Sequence, residues 1–254
     1  MRNLIIIISI VILLFSLYQI GQYLISARDT RDLYKDLAGI YYEDVSGSEA
    51  REDKENAQIP NNVESQSDVH SESSRIDRLR EINPDIIGWI TIPDTRIGYP
   101  IVKGKDNDHY LDHDLLGNLD RHGAIFMDYR NDPLEDKNIV IYGHHMKDGT
   151  MFRDLMKYKK RDFYEDNASI YLDMGDKVTE YIIFSVYISR SSNVDLALSF
   201  DSSMEYERYF TEVKERSLHP SDVEFAEDSQ MLSLATCTYE EKDARFIVHA
   251  LAVK

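Results

Sequence analysis

Read as apolar and polar positions, the chain falls into three zones. From Leu4 to Ser26 there is no charged residue, and 4–15 runs Leu-Ile-Ile-Ile-Ile-Ser-Ile-Val-Ile-Leu-Leu-Phe. At ~1.5 Å per residue this uncharged run gives about 34 Å of helix, enough to cross a bilayer core. It ends in Gln19-Ile-Gly-Gln-Tyr-Leu-Ile-Ser rather than in the small-residue exit of a cleaved leader, with Tyr18 and Tyr23 suited to an interface. The pattern predicts an uncleaved transmembrane anchor over 1–26. Residues 28–42 carry a rough 3.6-residue apolar rhythm, which predicts a short juxtamembrane helix. From 43 to 74 the chain is rich in Ser, Glu, Asp and Asn with almost no large apolar residue, the composition of a flexible polar stalk. Residues 27–74 therefore read as one juxtamembrane unit. A helix restarts near 76–82 and stops before Pro84.

Beyond Asp85 the pattern changes to short strands separated by turns such as Pro93-Asp94-Thr95 and Gly175-Asp176. Strands are predicted at 86–92, 98–102, 124–129, 138–142, 169–172, 178–188, 231–236 and 245–253. Eight short strands in one compact unit, 75–254, suggest a closed barrel or a sandwich, and the pattern is read as a mainly β, eight-stranded barrel with inserted helices. Inserted helices are predicted at 106–116, 150–157 and 203–217. The last puts Tyr206, Tyr209, Phe210 and Val213 on one side and Glu and Arg on the other.

Composition narrows the function classes. The formal net charge of −17 repels phosphate backbones, which excludes nucleic acid as a natural partner and disfavours docking on anionic lipid through basic patches. The 17 tyrosines against one Trp favour β structure with half-wet aromatic faces. Cys237 is the single cysteine, so the chain has no internal disulfide and no Cys-rich zinc site. A lone cysteine closing an apolar strand is ordinarily core, and only its neighbourhood reverses that reading.

Three residues sit next to predicted strand ends, where a rigid scaffold holds groups in fixed mutual geometry. Cys237 closes Met231-Leu-Ser-Leu-Ala-Thr-Cys, His144 follows Asn138-Ile-Val-Ile-Tyr-Gly, and Arg245 opens the final strand. Taken singly, each has an ordinary explanation as core, turn cap or solvated cation. Together, Thr236-Cys237, Tyr142-Gly143-His144 and the Arg opening the next strand resemble the signature of the sortases. The likeness extends to Gly88-Trp-Ile-Thr-Ile-Pro-Asp-Thr, Tyr99-Pro-Ile-Val, Asp106-Asn107, Gly123-Ala-Ile-Phe-Met-Asp-Tyr-Arg-Asn and the run from Asn138 to Phe152, and these are similar to class B in particular. It covers roughly residue 82 to the C-terminus. One departure is Ser233 in the first place of the usual Thr-Leu-x-Thr-Cys, which keeps a hydroxyl. Lys242, in the tight loop between Cys237 and Arg245, is a second candidate for the cationic role.

The resemblance implies a sortase-type barrel and a membrane-anchored cysteine transpeptidase of Gram-positive bacteria, single-pass in the cell membrane with its catalytic domain extracellular. Arg2 on one side of the apolar run is matched by Arg28 and Arg31 on the other, so charge alone does not orient it. Cys237 would attack a Thr-like carbonyl in the C-terminal sorting signal of a secreted protein, and an amine of peptidoglycan or its lipid-linked precursor would resolve the thioacyl enzyme. His144 would serve as acid and base, and Arg245, always charged, would hold the oxyanion. Asn107, Leu111, Tyr142 and Thr236 are the positions at which the sorting signal would be contacted, with packing or capping as the alternative for each. No cofactor is implied. His109 and His113, four apart, and the pair His144-His145 have metal-like spacing, but solvated helix surface and opposite strand faces account for them. The acidic stretch 106–120 lacks EF-hand spacing. Two other functions fit the residues: a hydrolase with water as acceptor, and a non-catalytic, membrane-tethered binding or assembly module on the same barrel.

Overall fold

The computed structural model describes residues 2–43, 73–189, 196–237 and 244–253. Most of the expected stalk and Lys242 lie outside them. The elements are α1 (Arg2–Tyr42), α2 (Ser73–Ile82), β1 (Ile86–Thr91), β2 (Gly98–Val102), α3 (His109–Asp112), β3 (Phe126–Met127), β4 (Asn138–Gly143), a 3₁₀ helix (Phe152–Lys159), α4 (Arg161–Asp166), β5 (Ser169–Asp173), β6 (Val178–Ser189), α5 (Ser203–Glu215), β7 (Met231–Cys237) and β8 (Arg245–Ala252). The eight strands close as β1-β2-β3-β4-β7-β8-β6-β5, which selects the barrel over the sandwich. Among the described residues only β2/β3 and β4/β7 pair in parallel.

Side-chain alternation on β7 and β8 builds two cores. Leu232, Leu234, Phe246, Val248 and Ala250 fill the barrel, while Met231, Ala235, Ile247 and Leu251 pack outward beneath α5. Helix α5 lays Tyr206, Phe210 and Val213 on that outer face. The Ser202 hydroxyl caps it by accepting from Glu205 N (3.2 Å). In the middle of the outer face, Ser233 pairs with His249 across the ladder. The Tyr187 hydroxyl donates to His249 Nε2 (3.1 Å), His249 Nδ1 donates to Ser233 Oγ (2.7 Å), and Ser233 donates to Asn138 Oδ1 (2.7 Å). That direction of donation leaves every member satisfied with a neutral imidazole. The hydroxyl of Ser233, unusual in its motif, is therefore a structural link.

Burial pushes the His249 pKa down to about 3. A group held below its unfolded value stabilises the fold above that unfolded value, and the stabilisation drains as pH falls from about 6.5 towards 3. Its full extent is on the order of 5 kcal/mol. Denaturant unfolding between pH 6.5 and 5, above the carboxylate range, is expected to show a falling stability in the native chain. His249→Gln, less stable at pH 7, is expected to show a flatter profile. Parallel profiles would contradict the assignment.

The sequence separates an anchor from a juxtamembrane helix, whereas the structure has one continuous helix. From residue 27 onward one stripe of α1 is buried: Ala27, Thr30, Tyr34, Leu37 and Tyr41. Tyr41 stacks on Trp89 (4.4 Å between centroids) and donates to Asp173 (2.8 Å), while Tyr34 meets Tyr99 edge-on at 5.0 Å. Residues 27–42 thus belong to the packed body, because their apolar stripe is matched by aromatic side chains of β1 and β2. The insertions also differ from expectation. The helix expected at 106–116 shrinks to α3, because Asp114 accepts from Leu116 N (2.8 Å) and Asn118 N (2.9 Å) and closes a turn there. That expected at 150–157 is the 3₁₀ helix.

Candidate active site

The register sets the positions of the three candidate catalytic residues. β4 runs parallel to β7 from Asn138↔Met231 to Gly143↔Thr236, so His144, the next residue, comes level with Cys237. β7 and β8 are antiparallel and end on Cys237↔Arg245. His144, Cys237 and Arg245 therefore form a row across three adjacent strands at one rim, the cysteine in the middle and each step ~5 Å. Arg245 has the parity of Ile247 and His249, on the side of the barrel that α5 covers further along.

Gly143 has a steric task. A Cβ there would stand 2.8–2.9 Å from the Phe152 ring and press on Ile125. The chain passes between barrel side chains and turns at once, with Phe152 N donating to His144 O (2.9 Å). Gly143→Ala is expected to cost about 1–3 kcal/mol by overpacking. Gly39→Ala, on α1 with open space around it, is expected to be neutral or stabilising. Denaturant midpoints of the full chain in detergent micelles measure both.

His144 is half-buried, and its Nε2 lies 2.7 Å from Leu111 O. A carbonyl only accepts, so Nε2 carries the hydrogen and Nδ1 is the basic nitrogen of the neutral ring. Arg245 is half-buried, and among the described residues no carboxylate pairs with it, its guanidinium reaching only Ala244 O at 3.5 Å. A cation with spare donors beside the cysteine suits an oxyanion.

The substrate candidates divide. Leu111 is 40 % exposed and adjoins His144 through its carbonyl. Tyr142 shares the outer parity of β4, its hydroxyl on Asp128 (3.1 Å). Asn107 Oδ1 accepts from Tyr129 N (3.0 Å), so part of its side chain is spent holding the turn that carries buried Asp128. Burial pushes the Asp128 carboxyl up, and Arg130 with Asn107 outweighs this and holds it below the usual range. Thr236 is buried. His109 and His113 stack on each other at 4.4 Å, and among the described residues no three His, Cys, Asp or Glu side chains are grouped to hold a metal.

Sequence reasoning passed over a brace around the His144 loop. His122, fully buried, contacts Asp120 through Nδ1 (2.6 Å) and Asp148 through Nε2 (2.8 Å), and the Thr30 hydroxyl of α1 donates to Asp120 (2.6 Å). Burial opposes protonation of the imidazole, but the two carboxylates prevail and its pKa is raised. Asp148 in turn accepts from Thr150 N and Oγ1 (3.0 and 2.7 Å), fixing the loop that leaves His144. Asp120 is the one local partner of His122, and the others, Asp148 and Thr30, lie 26 and 92 residues away, so the local sequence does not show the brace.

The sortase domain family matches residues 90–253. Sortase B of Listeria monocytogenes is 32 % identical over 231 residues, 91 % of this chain and 87 % of its own. The chain belongs to the class B sortases. Among solved structures, a Staphylococcus aureus sortase B–substrate complex superposes with a TM-score of 0.74 at 29 % identity, covering 89 % of this chain and 97 % of that one. A sortase B complexed with triglycine does so with a TM-score of 0.75 at 29 % identity, over 89 % and 98 %. This sortase is a cysteine transpeptidase, and a non-catalytic module on the same barrel is not favoured. Its eight-stranded barrel is the sortase barrel that the sequence motifs imply.

Proposed function

We propose that Cys237 is the nucleophile of this sortase, with His144 its acid and base and Arg245 its oxyanion holder. The observation that carries the reading is the row of three strand ends, with the single cysteine of the chain between the imidazole and guanidinium positions. The thiolate adds to the carbonyl carbon of a sorting-signal residue, and Arg245 donates to the oxygen that becomes negative. As the tetrahedral centre collapses, the C–N bond breaks and His144 delivers a proton to the departing amine, leaving a thioester on Cys237. An incoming amine, deprotonated by the imidazole, attacks the thioester, restoring the thiolate and forming the new amide. Leu111 and Tyr142 flank the row and line the approach, and Asn107 and Thr236 shape it from behind.

The substrate and triglycine complexes of the relatives support a sorting-signal peptide as donor and an amine as acceptor here. In the cell the donor would be a secreted surface protein and the acceptor a peptidoglycan amine or its lipid-linked precursor. Among the described residues one helix, α1, is long and apolar enough to span a membrane. On this reading the protein is a single-pass membrane protein with its catalytic unit outside. The anchor ends near residue 26, and 27–42 join the catalytic unit of 75–254. The test incubates the full chain with a fluorogenic sorting-signal peptide, with and without triglycine, and analyses products by mass. A ligated product that grows with triglycine at the expense of the free acid is expected. Free acid alone at every amine concentration would instead favour a hydrolase.

A further inference from the structure

We infer that the turn over residues 116–119 rests in the headgroup layer of the same bilayer that α1 spans, as a second point of membrane contact. The inference rests on the reading of α1 as a membrane anchor. Every residue from Leu4 to Ile20 is exposed. A hydrocarbon core of ~30 Å takes up about 20 helical residues, so a span beginning at Leu4 leaves the core near Tyr23. The folded body meets α1 at that level. The Arg121 guanidinium lies over the Tyr23 ring (4.8 Å), Asp120 accepts from Ser26 (3.3 Å) and Thr30 (2.6 Å), and Ala27 is buried. From Tyr23 to Ala27 the helix rises ~6 Å, about the thickness of one headgroup layer. Packing of 27–42 against β1 and β2 fixes the body to the helix, so no flexible spacer lifts it away.

The turn is built for that layer. Between Asp114 and Asp120 it reads Leu-Leu-Gly-Asn-Leu, without a charge. Leu115 is buried, while Leu116 is 51 % and Leu119 79 % exposed. Three of its backbone donors are already used: Leu116 N and Asn118 N on Asp114 Oδ1, and Gly117 N on Asp114 O (3.0 Å). A turn with most of its amides satisfied internally enters the half-hydrated headgroup layer at reduced cost, and its two leucines gain by it. The flanking carboxylates face inward, Asp114 to the turn and Asp120 to Ser26, Thr30 and His122. Arg121 sits where its charge meets lipid phosphate. The same segment supplies Leu111 O to His144, and Asp148, on the loop after β4, reaches the Asp120–His122 brace. The rim bearing His144 is therefore the membrane-proximal end of β4.

The test uses the full chain with Cys237→Ser, reconstituted in phosphatidylcholine–phosphatidylglycerol vesicles, and an environment-sensitive fluorophore on one introduced cysteine. Leu119→Cys and Leu116→Cys probe the turn, and Ile10→Cys probes the span. Leu134→Cys, 89 % exposed at the opposite end of the β3–β4 hairpin, is the control. Nitroxide on lipid headgroups is expected to quench the Leu119 and Leu116 probes and leave Leu134 bright, while nitroxide deep in the acyl chains quenches Ile10. Quenching at Ile10 with both turn probes as bright as Leu134 would overturn the inference and leave the anchor standing. An unquenched Ile10 probe would remove the anchor, and the inference with it.

Discussion

Cys237→Ala is expected to lower kcat/KM for sorting-signal cleavage on the order of 10⁴-fold, the scale seen when one member of a cooperating catalytic set is removed. No other thiol is present to substitute, since Cys237 is the single cysteine. Its place at the end of β7, with the strand's packing carried by Met231, Leu232, Leu234 and Ala235, predicts an unchanged fold. Intact-protein mass spectrometry on peptide-treated enzyme should find the thioacyl adduct on the native chain and none on the variant. Circular dichroism of the two should coincide. Cleavage within tenfold of the native rate would remove Cys237 from the mechanism.

Arg245→Lys is expected to lose about 10²–10³-fold, the cost of deleting one well-aimed oxyanion donor. The charge survives the substitution but the planar fork does not, so the loss measures geometry rather than net charge. The oxyanion exists only after attack, so the loss should fall mainly on kcat with KM moving little. A lysine enzyme with native kcat and raised KM would make Arg245 a ground-state peptide contact.

The barrel was legible because alternation and turn residues mark short strands one at a time, and all eight predicted segments overlap strands in the structure. The closure order was not, since β4/β7 pairing joins residues more than 90 apart and leaves no local trace. It is this parallel pairing that brings His144 level with Cys237, so motifs named the candidate residues while their adjacency came from the register. The continuity of α1 was hidden for another reason. The composition changes abruptly after Ser26, and a helix crossing such a change reads as two segments although its backbone has no break. The brace at His122 was invisible because a buried imidazole is marked by its partners, and Thr30 and Asp148 are distant in sequence. Ser233 looked like a lapse in a motif, and its meaning came only from His249 beside it.

Catalysis at this rim requires imidazole, sulfur and guanidinium to act on one carbonyl. A crystal structure of the full chain covalently trapped by a sorting-signal peptide bearing a vinyl sulfone tests this most directly. The prediction is a thioether at Cys237, with the Arg245 guanidinium donating to the peptide oxygen and the His144 ring on the opposite side of the sulfur. An adduct in which Arg245 turns to solvent, or His144 stays on Leu111 O beyond reach of the sulfur, would contradict it.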